Sequence, residues 1–220
     1  MRIEFGGKGL QSWTEGAEAE STGRQADVIL FSFFEEAVSY EKELKGETGF
    51  FESIAKFSKS RQCVVVCGCI TDTHGQRRKS AVVAERGRLI GVSDMLHALD
   101  DGYSAGAALR VYETGIGKMG VVVSQDLYFP EVIKGLVLCG SDFLVCPFEK
   151  SGEIESVLLR ANAYCYGAPI FFCSDRIAMI AEPSGKIAFS SPQIPTGIDF
   201  SFFKEYHLVE TRKRGCGKVR

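Results

Sequence analysis

The residues best placed to do chemistry lie in the run Gly117-Lys118-Met119-Gly120-Val121-Val122-Val123-Ser124-Gln125-Asp126-Leu127-Tyr128-Phe129-Pro130-Glu131. Val121 to Val123 reads as a short buried strand. Pro130 fits the first turn of a helix, where its missing N–H costs nothing, and Glu131 complements the helix dipole. Ser124 is therefore expected at a strand end, just before a turn into a helix, at the sheet rim where α/β proteins bind ligands. A serine hydroxyl there can attack a carbonyl, but its high pKa makes it depend on a positioned base. Asp126 and a histidine would superficially complete a triad. Two residues from Ser124, however, Asp126 is expected to orient backbone or cap the helix instead.

The other nucleophiles are thiols. Most of the eight cysteines lie in apolar runs such as Cys63-Val64-Val65-Val66-Cys67-Gly68-Cys69, which reads as reduced, buried thiols in a reducing cytoplasm. A zinc or redox site would need a second ligand pair or a Cys-x-x-Cys turn. On a strand Cys67 and Cys69 merely share one face, so core packing is expected and no metal.

The elements that must hold these residues can be read along the chain. Asp27 to Phe31 reads as a strand, about Glu35 to Leu44 as a helix, and about Phe50 to Ser60 as a second helix with Phe50, Ile54 and Phe57 at helical spacing. Cys63 to Ile70 has the near-continuous apolar character of a strand buried on both faces. After a turn at Asp72 to Gln76, Ser80 to Ala84 pairs back. Leu109 to Tyr112 and Gly120 to Val123 flank the Gly115/Gly117 turn as a hairpin. Helices over about Pro130 to Leu138 and Glu153 to Tyr166 bracket a strand, Phe143 to Cys146, and the second stops at Gly167-Ala168-Pro169. Pro169 to Cys173, Ile177 to Ala181 and Ile187 to Phe189 are the last strands, the final two joined by the turn Pro183-Ser184-Gly185. Helices alternating with buried strands argue for a layered α/β domain.

At 220 residues the chain can bury a substantial core as one domain. Its formal charge of −2 gives no reason to expect nucleic acid or a membrane surface as partner. No basic-then-apolar leader follows Met1 and no stretch is long enough to span a bilayer, so a cytoplasmic protein is expected. The basic segment from Thr211 to Arg220 lacks the interleaved aromatics of a nucleic-acid arm and reads as a solvated or partner-packed terminus.

In this order and at these spacings the segments resemble the nitrilase (carbon–nitrogen hydrolase) superfamily, whose elbow reads Gly-x-x-x-Cys-x-Asp-x-x-x-Pro-Glu. The likeness runs from Asp27 to about Lys213. It takes in Ala26 to Phe31, the glycine-bounded Gly87 to Val92 with His97-Ala98-Leu99, Glu113 to Gly120, Gly140 to Pro147, Arg160-Ala161 and the turn Glu182-Pro183-Ser184-Gly185. It implies a four-layer α-β-β-α sandwich that usually forms a dimer through the elbow helix and the Glu153 to Tyr166 helix. It also implies a single domain over 1–220, with a core at 26–190 and a C-terminal tail at 191–220 at an interface.

Enzymes of that family cleave carbon–nitrogen bonds of amides, nitriles or ureas with a thiolate, a carboxylate base and an oxyanion-stabilising lysine. The resemblance puts the nucleophile column on Ser124, the lysine column on Met95 and the glutamate column on Phe33. No lysine lies between Lys79 and Lys118, and Met95 offers an oxyanion neither charge nor donor. Glu35 and Glu36 follow Phe33 closely enough for a local shift. The helix motif departs from the family's Arg-Ala-x-Glu-Asn at Ala163 and Tyr164, and Lys79 stands where an Asn often precedes Ser80-Ala81.

A non-catalytic relative is therefore expected, a ligand-binding, regulatory or assembly subunit without cofactor. Its pocket of Phe33, Met95, Ser124, Gln125 and Cys146 would take a small neutral ligand, unless bulky side chains fill the old cleft. The alternative is an active hydrolase with a rebuilt site: Ser124 or Cys146 as nucleophile, Glu35 or Glu36 as base, His97 or Lys150 as cation. Cys146 ends the strand beside the elbow in the family fold, but reads more simply as a buried strand thiol.

Overall fold

Val64-Val65-Val66-Cys67 is buried at every position because both faces of its strand are covered. In the computed structural model, which describes residues 1–7 and 25–201, that strand lies inside one of two six-stranded sheets. The first sheet holds β1 (Arg2–Gly7), β2 (Val28–Ser39), β3 (Val64–Thr73), β4 (Gln76–Glu85), β5 (Arg88–Asp94) and β12 (Thr196–Asp199), in the order β12-β1-β2-β3-β4-β5. The second holds β6 (Val111–Thr114), β7 (Gly117–Val121), β8 (Phe143–Pro147), β9 (Ile170–Cys173), β10 (Ala178–Ala181) and β11 (Ile187–Ser191), in the order β11-β10-β9-β8-β7-β6. Three neighbouring strands run parallel in each, β1-β2-β3 and β7-β8-β9, with antiparallel strands on either side.

Strand alternation sorts the apolar side chains into layers. Val28, Leu30, Val64, Val66, Ala81 and Val83 of the first sheet meet Val121, Val145, Phe171 and Ile180 of the second in one shared cluster. The odd-even partners Ile29, Phe31, Val65, Cys67 and Cys69 face the other way and pack with Ile54 and Phe57 of α2 (Phe50–Arg61). On the far side Leu144, Cys146, Ile170 and Phe172 pack beneath α3 (Pro130–Leu138) and α4 (Ile154–Tyr166). Helix, sheet, sheet, helix is the four-layer α-β-β-α sandwich that the sequence resemblance implies. Cys67 and Cys69 share the helix-facing side of β3, as core thiols do.

The helix expected over about Glu35 to Leu44 is mostly strand. β2 runs on to Ser39, pairing Ala37, Val38 and Ser39 with Ile70, Thr71 and Asp72 after two register shifts. Only α1 (Tyr40–Lys45) is helical, begun by Ser39, whose hydroxyl accepts from Lys42 N, and ended at Gly46. Ladder bonds to β3 outweigh the helix propensity of the glutamates. The first sheet also takes in β1, β5 and β12, which hydropathy did not reveal, so the folded unit reaches past 26–190 at both ends. Arg2 to Phe5 pairs with Asp199 to Thr196, tying the N-terminal strand to the segment assigned to the tail. Residues 202–220 lie outside the described residues. Among the described residues no helix is long and apolar enough to cross a membrane.

Gly68 stands opposite Phe33 in the β2–β3 register. A Cβ there would stand 2.5 Å from the Phe33 ring, closer than side chains approach. Gly68→Ala should cost about 1–3 kcal/mol in urea denaturation, and adding Phe33→Leu should recover part of that loss.

Candidate functional site

Ser124 opens a short 3-10 turn, Ser124–Tyr128, between β7 and α3. Its φ is 48°, the left-handed backbone region, which costs a residue carrying a Cβ about 1–2 kcal/mol. Neighbours hold the turn from several sides. Asp126 N donates to Val123 O at 3.1 Å, and Phe129 N to Asp126 O at 3.1 Å. Asn162 of α4 donates to Leu127 O at 3.2 Å. The Asp126 carboxylate accepts from Leu96 N at 2.8 Å and His97 N at 3.0 Å, and lies 3.1 Å from His97 Nδ1. Asp126 therefore orients backbone, as its spacing predicts, but the backbone is that of residues 96–97 rather than the elbow helix. Burial raises its pKa above the ordinary aspartate value, against the lowering effect of these hydrogen bonds.

Ser124 Oγ is buried and has no hydrogen-bond partner among the described residues. Phe33 and Met95, 4% and 0% exposed, belong to the apolar cluster between the sheets, together with Val123. They fill that layer instead of walling an open cleft. Gln125 Nε2 donates to Asp100 Oδ1 at 3.3 Å, while its Oε1 is buried without a partner. Cys146 lies in a different layer, under α3 and α4, so the structure does not bring it together with Phe33 and Met95. Burial pushes its thiol well above the ordinary value, with the charges of Asp126 and Glu155 adding to the effect. A thiol held protonated is a poor nucleophile.

Of the other candidates, His97 is committed to Asp126, stacks on Phe129 with ring centroids 3.7 Å apart, and has Glu131 3.8 Å away. Lys150 is exposed beyond the end of β8. Glu35 and Glu36 fall on β2, and their side chains lie outside the described residues.

Sequence reasoning missed a charged cluster beside the elbow. Lys79 Nζ donates to Asp100 Oδ2 at 2.6 Å and to Glu149 Oε2 at 2.7 Å, and stands 5.2 Å from the Tyr103 ring centroid. The lysine is 3% exposed; its two carboxylate partners are 43% and 41% exposed. Burial presses its pKa down, but the hydrogen bonds it donates to both carboxylates outweigh this and hold it above the ordinary lysine value. The Lys79 hydrogen bond in turn lowers Asp100. The available signal was register: Ser80 pairs with Asp94 and Met95 N donates to Lys79 O at 2.8 Å, so Lys79 stands directly across from Met95. A second pair lies below the elbow, where the Tyr128 hydroxyl donates to the buried Glu155. Among the described residues no three His, Cys, Asp or Glu side chains converge as a metal site requires.

No protein-family model matches the chain. A probable nitrilase of Schizosaccharomyces pombe is 27% identical over 110 residues, which span 47% of this chain and 40% of the relative. Among solved structures, Nit3 of Saccharomyces cerevisiae, a member of branch 10 of the nitrilase superfamily, superposes with a TM-score of 0.77 at 15% identity, over 100% of this chain and 95% of that one. A mutant of the Nesterenkonia AN1 amidase from the same superfamily gives 0.75 at 15%, over 98% and 95%. In another mutant of that amidase, with a TM-score of 0.75 at 15% identity over 94% and 92%, the acetamide moiety of fluoroacetamide is added covalently at the active-site cysteine. Such identities carry the fold.

Asp126→Ala should cost about 2–4 kcal/mol, because it strands the buried donors of residues 96–97. The sign of its pH effect is also fixed. The folded chain holds the Asp126 proton at a pH where the unfolded chain has lost it, so stability falls as pH rises through that window. Urea titrations across the acid range should show this slope in the wild type and its loss in Asp126→Ala.

Proposed function

From the fold shared with nitrilase-superfamily structures and the partial sequence likeness to a probable nitrilase, we propose that the chain is a non-hydrolytic member of that superfamily that acts as a self-associating binding or assembly subunit. The carrying observation is the isolation of Ser124. Its hydroxyl has no base among the described residues, Asp126 is engaged by residues 96–97, and Lys79 is engaged by two carboxylates. An unassisted serine is a weak nucleophile. Met95 supplies nothing to a developing oxyanion, and Phe33 supplies no carboxylate.

Self-association is supported by the outer face of α4. Ile154, Val157, Ala161 and Tyr164 follow one another at intervals of three and four, on a single stripe. Ile154, Val157 and Tyr164 are 53%, 55% and 51% exposed, and Leu138 of α3 is 52% exposed. A second copy of the chain is the partner that would cover this face. The seven described cysteines are free, in keeping with a reducing compartment such as the cytoplasm.

A second reading, hydrolysis through Ser124, is favoured by one observation: the elbow keeps this residue in the left-handed conformation at φ 48°. Strain of that kind gathers at functional sites. Ammonia release from a panel of small amides and nitriles separates the readings. The wild type should match Ser124→Ala, and Ser124→Cys alone should gain nothing, since base and cation are still missing. Ammonia release that Ser124→Ala abolishes would establish the hydrolase. For the interface, Val157→Glu should convert a dimer to a monomer in sedimentation velocity without changing the far-UV circular dichroism.

A further inference from the structure

The connection from β5 to β6 carries the chain from the first sheet to the second, and hydrogen bonds to Gln125 and Asp126 set it beside the elbow. It is pinned back at several points. Ser104 N donates to Arg77 O at 2.7 Å, and Gly106 N to Met95 O at 2.7 Å. Arg77 stands over the Tyr103 ring at 5.4 Å, on the same aromatic that Lys79 approaches. Asp100, within this connection, accepts from Lys79 with one oxygen and from Gln125 with the other. Lys79 itself comes from β4 of the first sheet, while Glu149 follows β8 of the second. One nearly buried ammonium thus joins the first sheet, the crossover and the second sheet, and the crossover is joined in turn to the residue next to Ser124.

Next to this junction in the chain, joined to it by the Gln125–Asp100 hydrogen bond, are two buried polar atoms without partners among the described residues, Ser124 Oγ and Gln125 Oε1. One can donate or accept and the other accepts, so together they could meet a small ligand carrying both functions. Burial of such atoms unpaired is unfavourable. A cover that opens for a ligand would account for both the closure and the vacant hydrogen-bonding capacity.

We propose that the Lys79–Asp100–Glu149 network is a latch that holds the 96–110 crossover over the elbow and gates access to Ser124. This rests on the reading that the elbow is a binding rather than a hydrolytic site. Removing the ammonium leaves Asp100 and Glu149 facing each other as like charges, which should drive the crossover outward.

The test uses the full chain carrying Ser124→Cys as a reporter, with iodoacetamide as probe and site-resolved mass spectrometry as readout. The introduced thiol should alkylate slowly when the latch is intact and about tenfold faster or more when Lys79→Met is added, as expected of a local opening. Cys67 and Cys69, both 0% exposed, should stay unlabelled in each case and report that the fold is intact. Should they label in Lys79→Met, the comparison is read from Asp100→Asn, which removes one arm and should speed labelling at position 124 by about threefold or more. Equal rates at position 124 with and without the latch would overturn the proposal. The ammonia assay is independent: hydrolysis dependent on Ser124 would refute the binding reading, whereas equal labelling rates would refute only the latch.

Discussion

The face-to-face packing of two sheets on one apolar layer is the constraint from which the rest follows. Strands of both sheets contribute every second side chain to that layer, and each fully buried Val, Leu or Phe stabilises the fold by about 1.5–3 kcal/mol. A layer so composed has no room for an unpaired charge, because a buried ion without a partner is strongly unfavourable. Polar chemistry can therefore sit only at the rim, where strands end and turns begin. Ser124, Lys79, Asp126 and Asp100 all lie there. Phe33 and Met95 lie on the dry side of the same boundary, and their presence moves the boundary outward, up to the elbow itself.

This explains why the elbow is so firmly built although its hydroxyl has no partner among the described residues. Asn162 from α4, Asp126 from within the turn, and the amides of Leu96 and His97 from the crossover all converge on five residues. Any one of these hydrogen bonds contributes about 1 kcal/mol, comparable to the cost of the left-handed Ser124 backbone. Together they over-determine it. The turn conformation is thus a property of the surrounding scaffold and does not require a particular side chain at position 124.

Much of the second half of the fold was legible in the sequence. Pro130 opens α3, Gly167 closes α4 with a left-handed φ of 65°, and the Gly115/Gly117 hairpin pairs as its glycines suggest. These are local signals, fixed by proline and glycine stereochemistry. The first half was harder. Glu35 and Glu36 have helix-forming side chains, yet β2 continues through them because β3 offers backbone partners as far as Asp72. β1 and β12 were invisible because each is short, and their pairing joins residues nearly the whole chain apart. At the site, the apolar character of Phe33 and Met95 was plain, but that they fill the layer depends on Gly68 lacking a Cβ across the ladder. Asp100 and Glu149 carried no local signal at all. Only the fold places them on either side of one lysine.

Lys79 and Met95 show how the position of a charge matters more than its presence. They face each other across one rung of the β4–β5 ladder, so the ammonium is displaced by a single strand spacing, roughly 4.8 Å, from where it would stand on residue 95. At residue 79 it meets two half-exposed carboxylates, Asp100 of the β5–β6 crossover and Glu149 just after β8 of the second sheet. Those contacts hold the ammonium protonated and leave it no spare lone pair to act as a base. The carboxylates gain as well, since Asp100 is held ionised by the same hydrogen bond. The cluster sets one ammonium against two carboxylates, so its only cation is fully engaged within the fold. A lysine so placed ties the two sheets together at the rim, while Met95 completes the apolar layer behind it. Exchanging the two residues would put an ammonium into the apolar cluster that holds Phe33 and leave Asp100 and Glu149 without that counter-charge. Position, burial and partners thus make Lys79 a tether between sheets.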